Sequence, residues 1–110
     1  MIQQSWFTKP SEIDLPGYTR VKTITFDELQ ERYSIEFDTL VVDCEGALYY
    51  ILRDDPDIMK NIKLVIIEND GEVYEHLNYV FDLFAKNGLQ VVYDSNGVNC
   101  GNGFYQVWKK

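Results

Sequence analysis

The stretch Asp38-Thr39-Leu40-Val41-Val42-Asp43-Cys44-Glu45-Gly46-Ala47 decides the fold, because an apolar strand empties into two carboxylates and a glycine just before a helix begins. Leu40 to Asp43 is too continuous an apolar run for a half-solvated strand, which predicts a parallel strand covered on both faces. In open α/β sheets ligands bind in the crevice outside the carboxyl ends of the strands, where helix N-termini present free N–H groups. Asp43 is therefore the first candidate site residue.

Downstream, Lys63-Leu64-Val65-Ile66-Ile67-Glu68 is a second buried strand that again ends on an acid. Between the two lies a helical stripe of Ala47, Leu48, Ile51 and Leu52, closed by Asp55-Pro56, with Ile58, Met59 and Ile62 continuing the packing layer. A strand, a helix and a strand in that order make a right-handed crossover the default. Val73, Leu77, Val80, Phe81 and Phe84 mark a long amphipathic helix, with Glu72 and Glu75 at its start, Lys86 near its end and Asn87-Gly88 as its stop. Upstream, Thr25-Phe26-Asp27-Glu28 matches a capping box for a helix over Phe26 to Tyr33. Leu89 to Tyr93 and Phe104 to Trp108 complete the strands. The glycine-rich segment between them reads as a hairpin loop rather than a phosphate cradle, since no helix follows it. The first twenty residues, with Pro10, Pro16, Gly17 and no steady period, read as an arm.

At 110 residues the chain has the length of one domain, able to bury about 65% of the surface its unfolded form exposes. Its 45% hydrophobic and 15% aromatic residues exclude a disordered composition. No apolar run approaches the ~20 residues of a membrane span. A formal charge of −8 argues against nucleic acid and anionic lipid as partners and leaves small or neutral molecules. The opening Met1-Ile2-Gln3-Gln4-Ser5-Trp6 is polar and does not read as a secretory leader, so Cys44 and Cys100 are expected as free thiols in a reducing, cytoplasmic compartment. Cys44 reads as a small hydrophobe packed beside its strand, and His76 as a solvated side chain on an exposed helix.

Three segments in order, Val21-Lys22-Thr23-Ile24-Thr25-Phe26-Asp27-Glu28-Leu29, then Phe37-Asp38 through Gly46-Ala47, then Val65-Ile66-Ile67-Glu68, resemble the FkbM family of S-adenosylmethionine-dependent methyltransferases. The likeness covers Val21 to Lys110. Departures are Ile24-Thr25-Phe26, where a leucine usually precedes the aspartate, and Cys44, where the family tends to carry an aliphatic residue. The resemblance implies an α/β fold: a partial Rossmann-like methyltransferase sheet with parallel central strands, an antiparallel C-terminal strand and helices on both faces. The family's glycine-rich turn and ribose-binding acid have no counterpart in residues 1–20, so residues 21–110 read as a truncated methyltransferase domain lacking the cofactor-binding half.

The resemblance also implies a site. Asp43, Glu45 and Glu68 would line the acceptor side of the crevice, with Asp43 or Glu68 as general base for O-methylation of a small metabolite or sugar hydroxyl. Glu45 can instead cap the helix that begins at Ala47. Asp43 together with Glu68, Asn69 and Asp70 resembles the divalent-metal ligands of catechol O-methyltransferases, a hard oxygen set suited to magnesium. Asn69-Asp70-Gly71 is equally an ordinary turn. S-adenosylmethionine is the implied cofactor, held weakly or not at all by this chain alone. The alternative is a non-catalytic Rossmann-like module for assembly or binding. An apolar edge left at Leu40–Asp43 further predicts a homodimer, or a partner that supplies the missing half.

Overall fold

Thr25 starts the first helix, α1 (Phe26–Tyr33), through the reciprocal bonds of a capping box: Glu28 N–H donates to the threonine hydroxyl at 3.1 Å and Thr25 N–H donates to the Glu28 carboxylate at 3.2 Å. Those bonds, the side-chain one foremost and Arg32 more weakly, hold the Glu28 carboxyl below its ordinary value of 4.5. The helix stops at Ser34, whose left-handed φ of 52° lets Ile35 N–H reach Gln30 C=O at 3.0 Å. The structure is a computed structural model that describes residues 16–44, 46–69, 73–95 and 104–110, with Asn69 and Phe104 described in the backbone alone. Most of the N-terminal arm, Glu45, Asp70-Gly71 and Cys100 lie outside the described residues.

The remaining elements are β1 (Thr39–Val42), α2 (Ala47–Asp54), a single 3-10 stretch (Pro56–Asn61), β2 (Leu64–Asn69), α3 (Tyr74–Lys86), β3 (Gln90–Asp94) and β4 (Phe104–Lys109). They form a mixed α/β structure around an open four-stranded sheet in the order β1-β2-β4-β3. β1 and β2 pair in parallel with Val42 beside Ile67, while β4 runs antiparallel to β2 and to β3. The parallel pair and the antiparallel last strand beside the second of them agree with the sequence reading. No helix among the described residues is long and apolar enough to cross a membrane.

Two expectations fail. The parallel strands are not both central, since β1 forms one edge of the sheet, in agreement with the apolar edge expected at Leu40–Asp43. Nor do helices cover both faces among the described residues. Val42, Val65, Ile67 and Trp108 are buried with Leu48 and Leu52 of α2, Met59 and Ile62 of the 3-10 layer, and Val80 and Phe84 of α3. The alternate residues on the other face stay open, Val41 at 75% and Ile66 at 38% exposure. The reason is topological. The crossover from β1 to β2 and the one from β2 to β3 advance in the same direction across the sheet, and crossovers of one hand advancing one way place their helices on one face. A helix on the opposite face needs a connection that advances the other way.

Within the covered layer the aromatic rings interlock. Trp108 meets Phe81 at 5.3 Å and Phe84 at 5.2 Å between centroids, the latter edge-on. The indole N–H donates to the Gln106 carbonyl at 2.9 Å, and the Gln106 amide donates to Asp94 at 2.9 Å, so the buried glutamine is bonded at both ends. α3 ends in a Schellman arrangement: Leu89 N–H reaches Phe84 C=O and Gly88 N–H reaches Ala85 C=O, both at 3.0 Å, with Gly88 at φ 87°. That turn delivers Leu89 into the core at the start of β3.

Phe84→Ala, which removes a fully buried ring from beneath Trp108, is expected to cost about 3–5 kcal/mol in urea unfolding followed by circular dichroism. At the first helix the sign of the pH effect follows from the lowered Glu28 pKa: its contribution is present above the unfolded value and is lost as pH falls through the folded one. Protection factors at Thr25 and Glu28, which correct for the slower intrinsic exchange in acid, should therefore fall on acidification below 4.5, and Thr25→Ala should reduce that pH dependence.

Candidate site at the carboxyl end of the parallel strands

β1 and β2 deliver their acids to one edge of the sheet. Val42 is paired with Ile67 on the last rung, so Asp43 and Glu68 are the next residues of two strands that lie about 4.8 Å apart. Asp43 is exposed, and Glu68 is half-buried opposite Tyr105 of β4. The shared edge is the part of the sequence reading that the geometry brings together. Glu45 lies outside the described residues. Asn69 ends β2, where it pairs with Phe104. Among the described residues no three of His, Cys, Asp and Glu cluster as metal ligands.

The chain then turns into α2 through Gly46, which takes a left-handed φ of 86° at the helix N-cap position, a conformation that disfavours side chains although a Cβ there would meet no neighbour within 4 Å. Ala47 N–H closes the turn on Cys44 C=O at 3.0 Å. Cys44 is half-buried against the core, as its reading as a small hydrophobe predicted. α2 has no side-chain cap and no acid in its first turn among the described residues, so its amino end is left without a fixed negative partner there.

An aromatic group at the same end of the molecule escaped the sequence reading. Tyr49 and Tyr50 belong to the first turn of α2, and His76 to the first turn of α3; both helices start where β1 and β2 end. His76 is half-buried rather than solvated, with its imidazole stacked on the Tyr49 ring at 3.7 Å between centroids and 6° between planes. Tyr50 meets the same imidazole edge-on at 5.3 Å, and Tyr79 meets Tyr49 edge-on at 5.4 Å. One turn along α2, the Arg53 guanidinium sits 5.2 Å from the Tyr50 ring and 5.7 Å from the Tyr49 ring. The signal was present in the sequence as two helix starts with aromatic first turns, but only the docking of α2 on α3 makes them one group.

Chemically, the strand edge offers carboxylates that can take a proton from a hydroxyl, and the helix starts offer ring faces against which a flat or sugar-like molecule can stack. A comparison with family models, curated proteins and solved structures returns no match.

A double-mutant cycle with Tyr49→Ala and His76→Ala should give a coupling of about 1 kcal/mol in chemical unfolding, the amount expected of a stacked ring pair that ties two helices.

Proposed function

We propose that this chain is the acceptor-side half of an FkbM-like S-adenosylmethionine-dependent methyltransferase domain, acting on a hydroxyl of a small metabolite or sugar in a reducing, cytoplasmic compartment. The observation that carries the reading is the register of β1 and β2, which sets Asp43 and Glu68 side by side at the carboxyl edge of a parallel pair. The insertion of β4, antiparallel, between β2 and β3 supports it further.

In this reading the substrate hydroxyl lies over the strand edge, and Asp43 or Glu68 accepts its proton as the oxygen gains a new bond to carbon. A carboxylate oxygen placed within hydrogen-bond reach of the hydroxyl can accept its proton. Asp43, Glu68 and Asn69 could additionally bind magnesium, a cation that prefers oxygen ligands and keeps several waters.

The two described glycines with positive φ outside the α2 start are Gly17 and Gly88, and neither links a strand to a helix. In this reading the methyl donor is held by another polypeptide or segment. A second reading, a non-catalytic assembly module, is favoured by one observation, the open sheet face bearing Val41 and Ile66.

Titration calorimetry of the chain with S-adenosylmethionine or its demethylated product is expected to show weak or no binding. Low-micromolar binding would overturn the division of the site. Amide shift mapping with a panel of sugars and small alcohols should move Asp43, Cys44 and Glu68, and Asp43→Asn should weaken the response several-fold. Shifts confined to other regions would leave the assembly reading in its place.

A further inference from the structure

We infer that the open face of the sheet is a self-association surface, on which a second copy of this chain packs face to face with its strands running antiparallel to those of the first. The inference rests on the assembly reading, since Glu68 lies on this face and a second copy there competes with an acceptor for the same strand edge.

Register assigns the residues of this face. Its first rung is Thr39, Leu64, Lys109 and Gln90; its central rung is Val41, Ile66, Val107 and Tyr93; its third carries Glu68 and Tyr105. The central rung holds no charge, and along it exposure is 75% at Val41, 38% at Ile66 and 54% at Tyr93. Contiguous apolar surface of this kind marks a contact site in a soluble domain.

Charge selects the occupant and its orientation. On this face the first rung carries Lys109 and no acid, whereas the carboxyl end carries Glu68, with Asp43 continuing β1 beside it; Lys63 and Lys110 alternate to the helical side, where Lys110 lies near Gly88. The face is thus basic at one end, neutral in the middle and acidic at the other. A two-fold axis in the plane of the face and perpendicular to the strands brings the basic end of each copy over the acidic end of the other. It also sets Val41 on Val41 and Ile66 on Ile66, as an isologous contact requires. An axis parallel to the strands would instead stack acid on acid. Elsewhere a chain of net charge −8 repels its own copies, which confines the contact to this neutral band.

The size of the patch sets the strength. Four strands about 4.8 Å apart and three rungs about 6.7 Å apart make a patch of roughly 400 Å² in plan once side-chain reach is added. That is below the ~800 Å² per partner of a standard interface, so the dimer should be weak and concentration-dependent.

Sedimentation equilibrium from about 1 to about 300 µM tests this across the range in which such a small interface would associate. The weight-average mass should rise from 12.9 kDa toward twice that value. Val41→Lys and Ile66→Lys should each raise the dissociation constant at least about tenfold while circular dichroism stays unchanged, as expected for the centre of a contact. Tyr74→Lys, at a position 80% exposed on α3, should leave it unaltered. Lys109→Glu should weaken the dimer, and adding Glu68→Lys should restore it. In the unmutated chain, isotope-filtered spectra should show intermolecular contacts between Val41 methyls. A monomer at every concentration, a dimer indifferent to both central-rung variants, or a face covered by the chain's own residues would overturn the inference, as would capture of a different protein by a chain that does not self-associate.

Discussion

Val65 and Ile67 of β2 are the residues on which the rest of the molecule rests. Both are buried, with β1 in parallel register on one side and β4 antiparallel on the other, beneath the layer that α2, the 3-10 stretch and α3 form together. Burying one such side chain is worth about 1.5–3 kcal/mol. More than that, β2 is the strand through which the other elements find their places. Its upstream neighbour sets the edge that carries Asp43, and its downstream neighbour carries Trp108, whose indole joins Phe81, Phe84 and the bonded Gln106.

From that pairing follow both halves of the molecule's chemistry. Parallel register brings two strand ends together, so two carboxylates that are remote in sequence share an edge, and the helices that follow must start beside them. Two crossovers that advance the same way give a single helical layer, so the same topology that gathers the site leaves the opposite face of the sheet open. The candidate acceptor site and the candidate contact surface are consequences of one arrangement of strands. They differ in kind: the edge gathers carboxylates, and the face carries no covering helix among the described residues.

The sequence was most legible where a local interaction closes on itself. Thr25 and Glu28 lie three residues apart and satisfy each other's backbone groups, so the start of α1 could be read without reference to anything distant. Asn87-Gly88 ends α3 for the same reason, since only the turn itself demands a positive φ there. The strand ends Asp43 and Glu68 were legible as well, because an apolar run that stops at an acid is a local pattern. The Tyr49–His76 stack was not, because its partners sit on different helices and nothing in either helix alone requires the other. A histidine among polar neighbours reads as solvated until a second helix is laid beside it.

By itself, then, the sequence determined which segments are helix and which are strand, where the helices begin and stop, and that two strands end on acids, since each of these depends on periodicity, caps and backbone preferences within a few residues. Only the tertiary structure decided that the helices share one face and that this brings Tyr49 against His76. Those outcomes turn on the direction in which each crossover advances. A continuous apolar run such as Leu40-Val41-Val42 is compatible with burial on two faces or on one, because hydrophobicity records what a strand tolerates against it and carries no information about which neighbours arrive.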